Sequence, residues 1–308
     1  MIKITNNQSG LRLGKFLISK YPDVINRDLY NFIKKKDIKV NNKKVDSNYI
    51  LKANDIINIS NFAQKVLDNP NNSKNFNTTT VDNKYLEMFK NSTIYEDENI
   101  VVINKPYDLS VQGGTNVDIS IADIISFINK NEHKTLKLVH RIDKTTTGVL
   151  IIAKNLESAN ELTKLFKSKN KIEKYYLALC VGKFSNDNDT INIPLSKEDN
   201  SDIVFKDRVN GKEAITKYSV LKYSSSYDIS LVKLQILTGR THQIRVHLKE
   251  IGHSILGDFK YNKHKNEFIS SNRLQLHSYQ IKIELFGKKI AVVADIPDKM
   301  MSIIKKCF

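Results

Sequence analysis

The segment His140-Arg141-Ile142-Asp143-Lys144-Thr145-Thr146-Thr147-Gly148 sets one carboxylate between two cations in a polar stretch. It lies between Leu136-Lys137-Leu138-Val139 and the apolar run Val149-Leu150-Ile151-Ile152, so it reads as a loop framed by two strands. Loops held by rigid strands are common seats of catalytic groups, and flanking cations favour the carboxylate form of an aspartic acid. Asp143 could equally cap the amides of a turn, and the residue type alone leaves both uses open.

Two further segments carry reactive side chains. In Lys174-Tyr175-Tyr176-Leu177-Ala178-Leu179 the spacing predicts a strand, whose period of two sends Tyr175 and Tyr176 to opposite faces. A tyrosine ring can stack on a base, and its hydroxyl, with a pKa of about 10, accepts a proton only where the surroundings help. In Thr238-Gly239-Arg240-Thr241-His242-Gln243-Ile244-Arg245-Val246-His247, the apolar residues Ile244, Leu248 and Ile251 fall at i, i+4 and i+7. That spacing predicts a helix over 241–251, with Thr241 as N-cap and Gly252 beyond its end. Arg240 and His242 then stand at the helix start, where amides and dipole favour an anion such as phosphate, and Arg245 lies on the first turns. On residue types alone these arginines read as phosphate contacts.

The 308 residues suggest about two domains, and 49 Lys and Arg against 33 Asp and Glu, a net charge of +16, point to a polyanionic partner. No run of eighteen apolar residues occurs and Met1–Lys15 lacks an apolar signal core, so the expectation is a cytoplasmic protein with no membrane contact. Cys180 and Cys307 form no paired motif, and His242 and His247 are five apart rather than four, so no disulfide, no metal site and no cofactor is expected. Residues 61–84, rich in Asn, Thr, Ser and Lys, read as a linker between a small basic module and a larger one. In the small module Leu13, Phe16, Leu17 and then Leu29, Phe32, Ile33 predict two short helices, followed by strands around Ile38–Val40 and Asp55–Ile59. In the larger one, strands are expected at 100–103, 149–152, 176–181 and 232–236 and a helix at 159–166, an α+β arrangement with a strand-rich core.

Residues 11–60 resemble the S4 RNA-binding domain, with two helices, then a "V-x-V-N-G"-like and a "G-D-x-I-x-I"-like segment. Asn42, Asn54 and Lys36 stand where that family has glycine; asparagine is the next-best residue at positive φ, and Lys36 is the less comfortable substitution. Beyond residue 84 the motifs "H-R-I-D-x-x-T-T-G", "K-x-Y-x-A-L", "T-G-R-T-H-Q-I-R-V-H", Gly257-Asp258-x-x-Tyr261 and Arg273-Leu274-x-Leu276-His277 follow in the order of the Rlu-type pseudouridine synthases. Ile94-Tyr95-Glu96-Asp97 and Val111-Gln112-Gly113-Gly114 are most similar to the RluC branch, although Gln112 stands where histidine is usual.

That resemblance implies an RNA-modifying isomerase that needs neither cofactor nor metal and acts on ribosomal RNA of the large subunit. It implies Asp143 as the essential aspartate, Tyr176 as the ring near the target base and Arg245 as the cation paired with Asp143. Breaking the C1′–N1 bond of uridine and remaking it at C5 needs a nucleophile or an oxocarbenium stabiliser, and a carboxylate can be either. The base must also be flipped out of its stack, and Arg141 is a candidate to fill the gap or simply to form an ion pair. Arg12, Lys15, Arg27 and Lys43 in the small module, with Lys105, His140, Arg141, Arg240 and His242 in the large one, are expected to contact RNA. The expected layout is an S4-like domain over 1–62, a linker over 63–84, and a catalytic domain over 85–308 with a mixed, largely antiparallel sheet. The rival class is a non-enzymatic S4-type RNA-binding or ribosome-associated protein, which has no chemical use for Asp143, Tyr176 and Arg245 together. A glycoside hydrolase would need two carboxylates across the bond, and the motifs offer one.

Overall fold

The repeated i, i+3, i+4 apolar spacing near the N-terminus folds as two helices, α1 (Leu13–Lys20) and α2 (Asn26–Lys34). This computed structural model describes residues 1–22, 24, 26–68, 81–113, 117–168, 172–198, 203–262 and 271–308. The chain divides into two units, Met1–Thr80 and Val81–Phe308.

In the first unit a small antiparallel sheet, β1 (Ile2–Lys3), β2 (Ile38–Val40) and β3 (Ile56–Ile59), runs in the order β1-β3-β2. Leu13, Leu17, Leu29, Ile38, Leu51 and Ile57 close its core. Asn42 (φ 63°), Asn54 (φ 71°) and Lys36 (φ 67°) are all left-handed, so the three positions where the resemblance calls for glycine do turn as glycine would. For Lys36 that conformation costs about 1–2 kcal/mol. The expected linker differs where it is described: Asn61–Asp68 forms a helix, α3, that buries Ala63, Val66 and Leu67 in this core. Those three apolar positions have helical spacing that Asn-rich surroundings mask, and residues 69–80 lie outside the described residues.

The second unit opens with α4 (Asn83–Asn91), β4 (Thr93–Glu96), β5 (Ile100–Lys105), α5 (Ile121–Glu132), β6 (Lys137–Leu138), β7 (Thr147–Ala153) and α6 (Leu156–Lys167). Next come β8 (Ile172–Val181), β9 (Asn188–Asn192), β10 (Leu195–Lys197), β11 (Val204–Lys206), β12 (Ile215–Ser224) and β13 (Ile229–Ile236). It ends with α7 (Gln243–Glu250), β14 (Leu276–Leu285), β15 (Lys288–Val293) and α8 (Asp298–Cys307).

The main sheet follows the order β4-β5-β7-β14-β8-β13-β12-β9, with β15 and β6 attached to β14 and β7. Among the described residues every pairing is antiparallel except β7 with β14, so the expectation of a mixed, largely antiparallel sheet holds. The unbroken run 149–152 is apolar because β7 is covered on both faces: Leu150 and Ile152 meet α5, and Val149 and Ile151 meet α6. In the other half, α7 covers one face of β8 and β13 and α8 the other.

The two halves meet where His277 and Ser278 of β14 pair with Thr147 and Gly148 of β7. Gly148 has φ +104°, and a Cβ there would lie 2.1 Å from the Ser278 carbonyl oxygen, so no side chain fits this crossing. His277 pins the same point: its ring, fully buried, bonds Thr147 Oγ1 through Nδ1 at 2.8 Å and the Ala294 carbonyl through Nε2 at 3.2 Å.

Candidate active site

Asp143 sits in the loop between β6 and β7, where the Thr146 amide donates to the Asp143 carbonyl at 3.0 Å and closes a tight turn. The turn is held from beneath by Lys105, the last residue of β5. Lys105 has no exposed surface, and its Nζ donates to the carbonyls of Pro106 (2.8 Å), Leu109 (2.9 Å) and Lys144 (3.0 Å). Burial pulls its amine down to about 7, against the opposing charges of Asp143 and Asp108. The expectation that Lys105 contacts RNA is therefore corrected: all three of its donors are taken by backbone, and it joins the loop after β5 to the loop of Asp143.

Tyr176 stands on β8 between Leu234 of β13 and Ser278 of β14, on the face covered by α7. Burial pushes its hydroxyl up to about 12; Ser278 works against this and the Asp143 charge adds to it. Tyr175 points to the opposite face, its hydroxyl on Glu173 (2.8 Å) and its ring beneath Lys233 and Lys282. The period of two therefore separates the rings as expected.

α7 starts one residue later than the apolar spacing predicts. His242, not Thr241, is the N-cap, in a left-handed conformation (φ 52°) with no side-chain capping bond. The helix start is organised by the buried Gln243. Its Oε1 accepts from Thr238 Oγ1 (2.8 Å) and the Arg240 amide (3.0 Å), and its Nε2 donates to the Ile215 carbonyl and Thr216 Oγ1, both at 3.0 Å. Gly252 follows the helix at φ +89°, as the C-terminal reading requires.

With Ile244 and Leu248 packed on Ala178, Val232 and Leu234, Arg245 is carried into the interior. Its Nη1 lies 3.5 Å from Asp143 Oδ2. The rest of the fork is bound to Asp258, Nε to Oδ2 at 2.8 Å and Nη2 to Oδ1 at 2.7 Å, and Asp258 is 3% exposed. Burial disfavours the guanidinium charge, but the bonds to Asp258 and the Asp143 charge more than offset it, so Arg245 holds its proton more firmly than usual. Removing one partner of such a buried pair costs about 3–5 kcal/mol.

His242 reaches Asp143 from the other side, Nε2 to Oδ2 at 3.9 Å, while its Nδ1 shares a 2.7 Å hydrogen bond with the hydroxyl of Tyr261. Burial pulls this imidazole down to about 4, although the Asp143 charge opposes it, so the ring is neutral near pH 7. Tyr261 also lies 5.0 Å under the Arg245 guanidinium and accepts the Val204 amide at 3.0 Å. Asp258 and Tyr261, which the sequence places in a motif without a role, thus hold the two groups that face Asp143.

Asp143, Tyr176, Arg141, Arg240, His242 and Arg245 all line one cleft of about 200 Å³, closed on its apolar side by Ile142, Ile236 and Leu276. Arg141 is exposed at its rim with no hydrogen bond or ion pair among the described residues. Arg240 is exposed too, its Nε donating to the Glu213 carbonyl at 2.9 Å. The cations flanking Asp143 in sequence do not pair with it: Lys144 bonds Asp108 at 3.1 Å. His140 is half-buried and also braces the sheet: its Nε2 accepts the Ile151 amide at 2.7 Å, its ring stacks on Phe166 at 4.3 Å, and burial pulls it down to about 3, so the ring is neutral. In the first unit Arg12, Lys15 and Lys43 are exposed, and the side chain of Arg27 lies outside the described residues. Among the described residues no helix is long and apolar enough to cross a membrane.

The arrangement offers one carboxylate, a buried ring beside it and cations at the rim, the equipment for opening and remaking a glycosidic bond on an RNA nucleotide. Comparison with known proteins agrees. A family described as RNA pseudouridylate synthase matches residues 99–250. The chain is 32% identical over 287 residues to a ribosomal large subunit pseudouridine synthase C of Vibrio vulnificus (strain CMCP6), covering 92% of this chain and 87% of that one. It is 35% identical over 301 residues to the protein of the same name from Rickettsia bellii (strain RML369-C), covering 96% and 98%. A solved structure, human RNA pseudouridylate synthase domain containing 4, aligns with a TM-score of 0.61 at 28% identity over 73% of this chain and 96% of its own. Matched along nearly its whole length, and with the cleft in the matched region, this chain belongs to the RNA pseudouridine synthases, the isomerases that turn uridine into pseudouridine, and to their RluC-like branch.

Proposed function

We propose that the protein converts uridines of large-subunit ribosomal RNA to pseudouridine in the cytoplasm, with Asp143 as the catalytic carboxylate. The observation that carries this reading is that Asp143 and Tyr176 line one cleft, with Arg245 3.5 Å from Asp143 and no shorter ion pair to its oxygens among the described residues. The relatives' names, which refer to the ribosomal large subunit, support the choice of RNA.

A flipped uridine enters with its ring against Tyr176 and its sugar toward Asp143. The carboxylate assists departure of N1 from C1′, the base turns, C5 bonds to C1′, and the C5 proton leaves as N1 gains one. No electrons are gained or lost, so full activity in EDTA is expected for RNA that stays folded. The hydroxyl of Tyr176, pushed up to about 12 in the free protein, accepts a proton only once the bound base changes its surroundings. Arg141, with no partner of its own among the described residues, fills the place the base leaves.

Residues 1–62 serve as an S4-like RNA-binding module, with Arg12, Lys15, Arg27 and Lys43 toward phosphate, and residues 85–308 as the catalytic domain. The test is to map pseudouridines in the large-subunit RNA of a strain lacking the gene, then to restore them with the purified protein. Loss of specific pseudouridines that reappear on addition is the expected result; an unchanged map would reject the substrate.

A further inference from the structure

Asp143 receives less from Arg245 than a guanidinium can give. A free Arg–carboxylate pair closes to two parallel bonds of about 2.7–2.9 Å, whereas here a single nitrogen approaches at 3.5 Å. The two short bonds are made instead to Asp258, which is 3% exposed and belongs to the loop that also carries Tyr261. From that loop Tyr261 lies under Arg245 and holds His242, the second group at Asp143. Asp258 itself does not line the cleft.

We propose that Asp258 is a positioning residue of the active site: by occupying both arms of the Arg245 fork it keeps Arg245 from clamping Asp143, and so leaves the Asp143 oxygens available to the ribose. The inference rests on the assignment of Asp143 as the catalytic carboxylate. A purely structural ion pair would also bury Asp258 and Arg245. It would give no reason for the pair to be built against Asp143, with one nitrogen left at 3.5 Å and the neighbouring Tyr261 aiming His242 at the same oxygen.

Asp258→Asn keeps the volume and one acceptor but removes the charge that holds the fork. With transcribed large-subunit RNA at saturation, its single-turnover rate is expected to fall about 10²-fold per folded molecule, with the Kd for RNA changed by less than about threefold. Because Asp258 acts through Arg245, the loss should not multiply. In an Arg245→Lys background, which has no fork to hold, adding Asp258→Asn should cost under about threefold more. Wild-type rate in Asp258→Asn with only a lower Tm, a loss confined to Kd, or independent losses in the double variant would each overturn the proposal. If circular dichroism shows that Asp258→Asn does not fold, Asp258→Glu takes its place; it keeps the charge that holds the fork, so a rate within about threefold of wild type is expected, and a loss of about 10²-fold with Arg245 unmoved would be the overturning result. One arm needs no substrate: in a crystal structure of the variant the Arg245–Asp143 contact should close from 3.5 Å toward bonding distance. An unmoved Arg245 would overturn the proposal, whereas wild-type protein inactive on this RNA would count only against the assigned substrate.

Discussion

The two units use the same residue types in opposite ways. In Met1–Thr80, Arg12, Lys15 and Lys43 stand exposed over a core of aliphatic side chains, and each keeps its charge in water. Around the cleft, Arg245 and Lys105 are buried and bound, one to a carboxylate pair and the other to three carbonyls. An exposed cation contributes affinity that salt can screen, while a buried and saturated one contributes geometry that salt barely touches. The net charge of +16 therefore overstates how many cations meet RNA, and the useful division is by burial rather than by residue type.

The sharpest way to test that division begins with the group the buried cations serve. Asp143→Asn should lower the single-turnover rate by about 10³-fold or more while RNA affinity, measured by filter binding, stays close to wild type. A loss smaller than about tenfold would remove Asp143 from the chemistry. Tyr176→Phe keeps the ring and removes the hydroxyl, and a loss of about 10²-fold is expected if that hydroxyl moves the C5 proton. An unchanged rate would leave Tyr176 as a stacking surface.

Deleting residues 1–80 tests the other side of the comparison. Binding should weaken by roughly tenfold or more, and the slope of log affinity against log salt should fall by about one unit for each phosphate the shortened protein no longer neutralises, while the rate at saturating RNA changes little. An unchanged slope would give the unit a role other than RNA binding. Lys105→Met should do the reverse. It leaves three carbonyls short of a donor at a cost of about 1–3 kcal/mol, so Tm falls by several degrees and the rate by a few-fold, with the salt slope intact. The smallest effect concerns pH. His242 is pulled to about 4 and Tyr176 pushed to about 12, so neither changes charge between pH 6 and 9. The chemical step should therefore show there only a shallow limb near pH 7, a decline of no more than a few-fold as the buried amine of Lys105, at about 7, loses its proton and one of its three donors with rising pH. A steeper dependence would count against this assignment of charges.

What can be read in the sequence follows the same line between local and distant. Helices α1, α2 and α6 and strands β5, β7, β8 and β13 are legible because their apolar spacing is written within a few residues. Asp143, Tyr176 and Arg245 are legible through motifs, and they do line one cleft. Lys105 misleads because a basic side chain looks the same in sequence whether it faces solvent or the protein's own backbone. Asp258 is not legible as a partner of Arg245 because it lies thirteen residues away on a loop, where no helical or strand period relates the two. Helix α3 is hidden in composition: Ala63, Val66 and Leu67 have the right spacing, but the asparagines around them suggest a linker.

The crossing at Gly148 also bears on how Asp143 and Tyr176 are kept in register. Asp143 belongs to the half of the sheet that ends at β7 and Tyr176 to the half that begins beyond β14, so these two residues of the cleft face each other across a seam of two residue pairs. A methyl group at Gly148 would act there as a wedge against the Ser278 carbonyl, prying β14 from β7. The gap so opened would pass directly into the spacing between carboxylate and ring, which makes the smallest residue in the motif the gauge that sets the width of the active site.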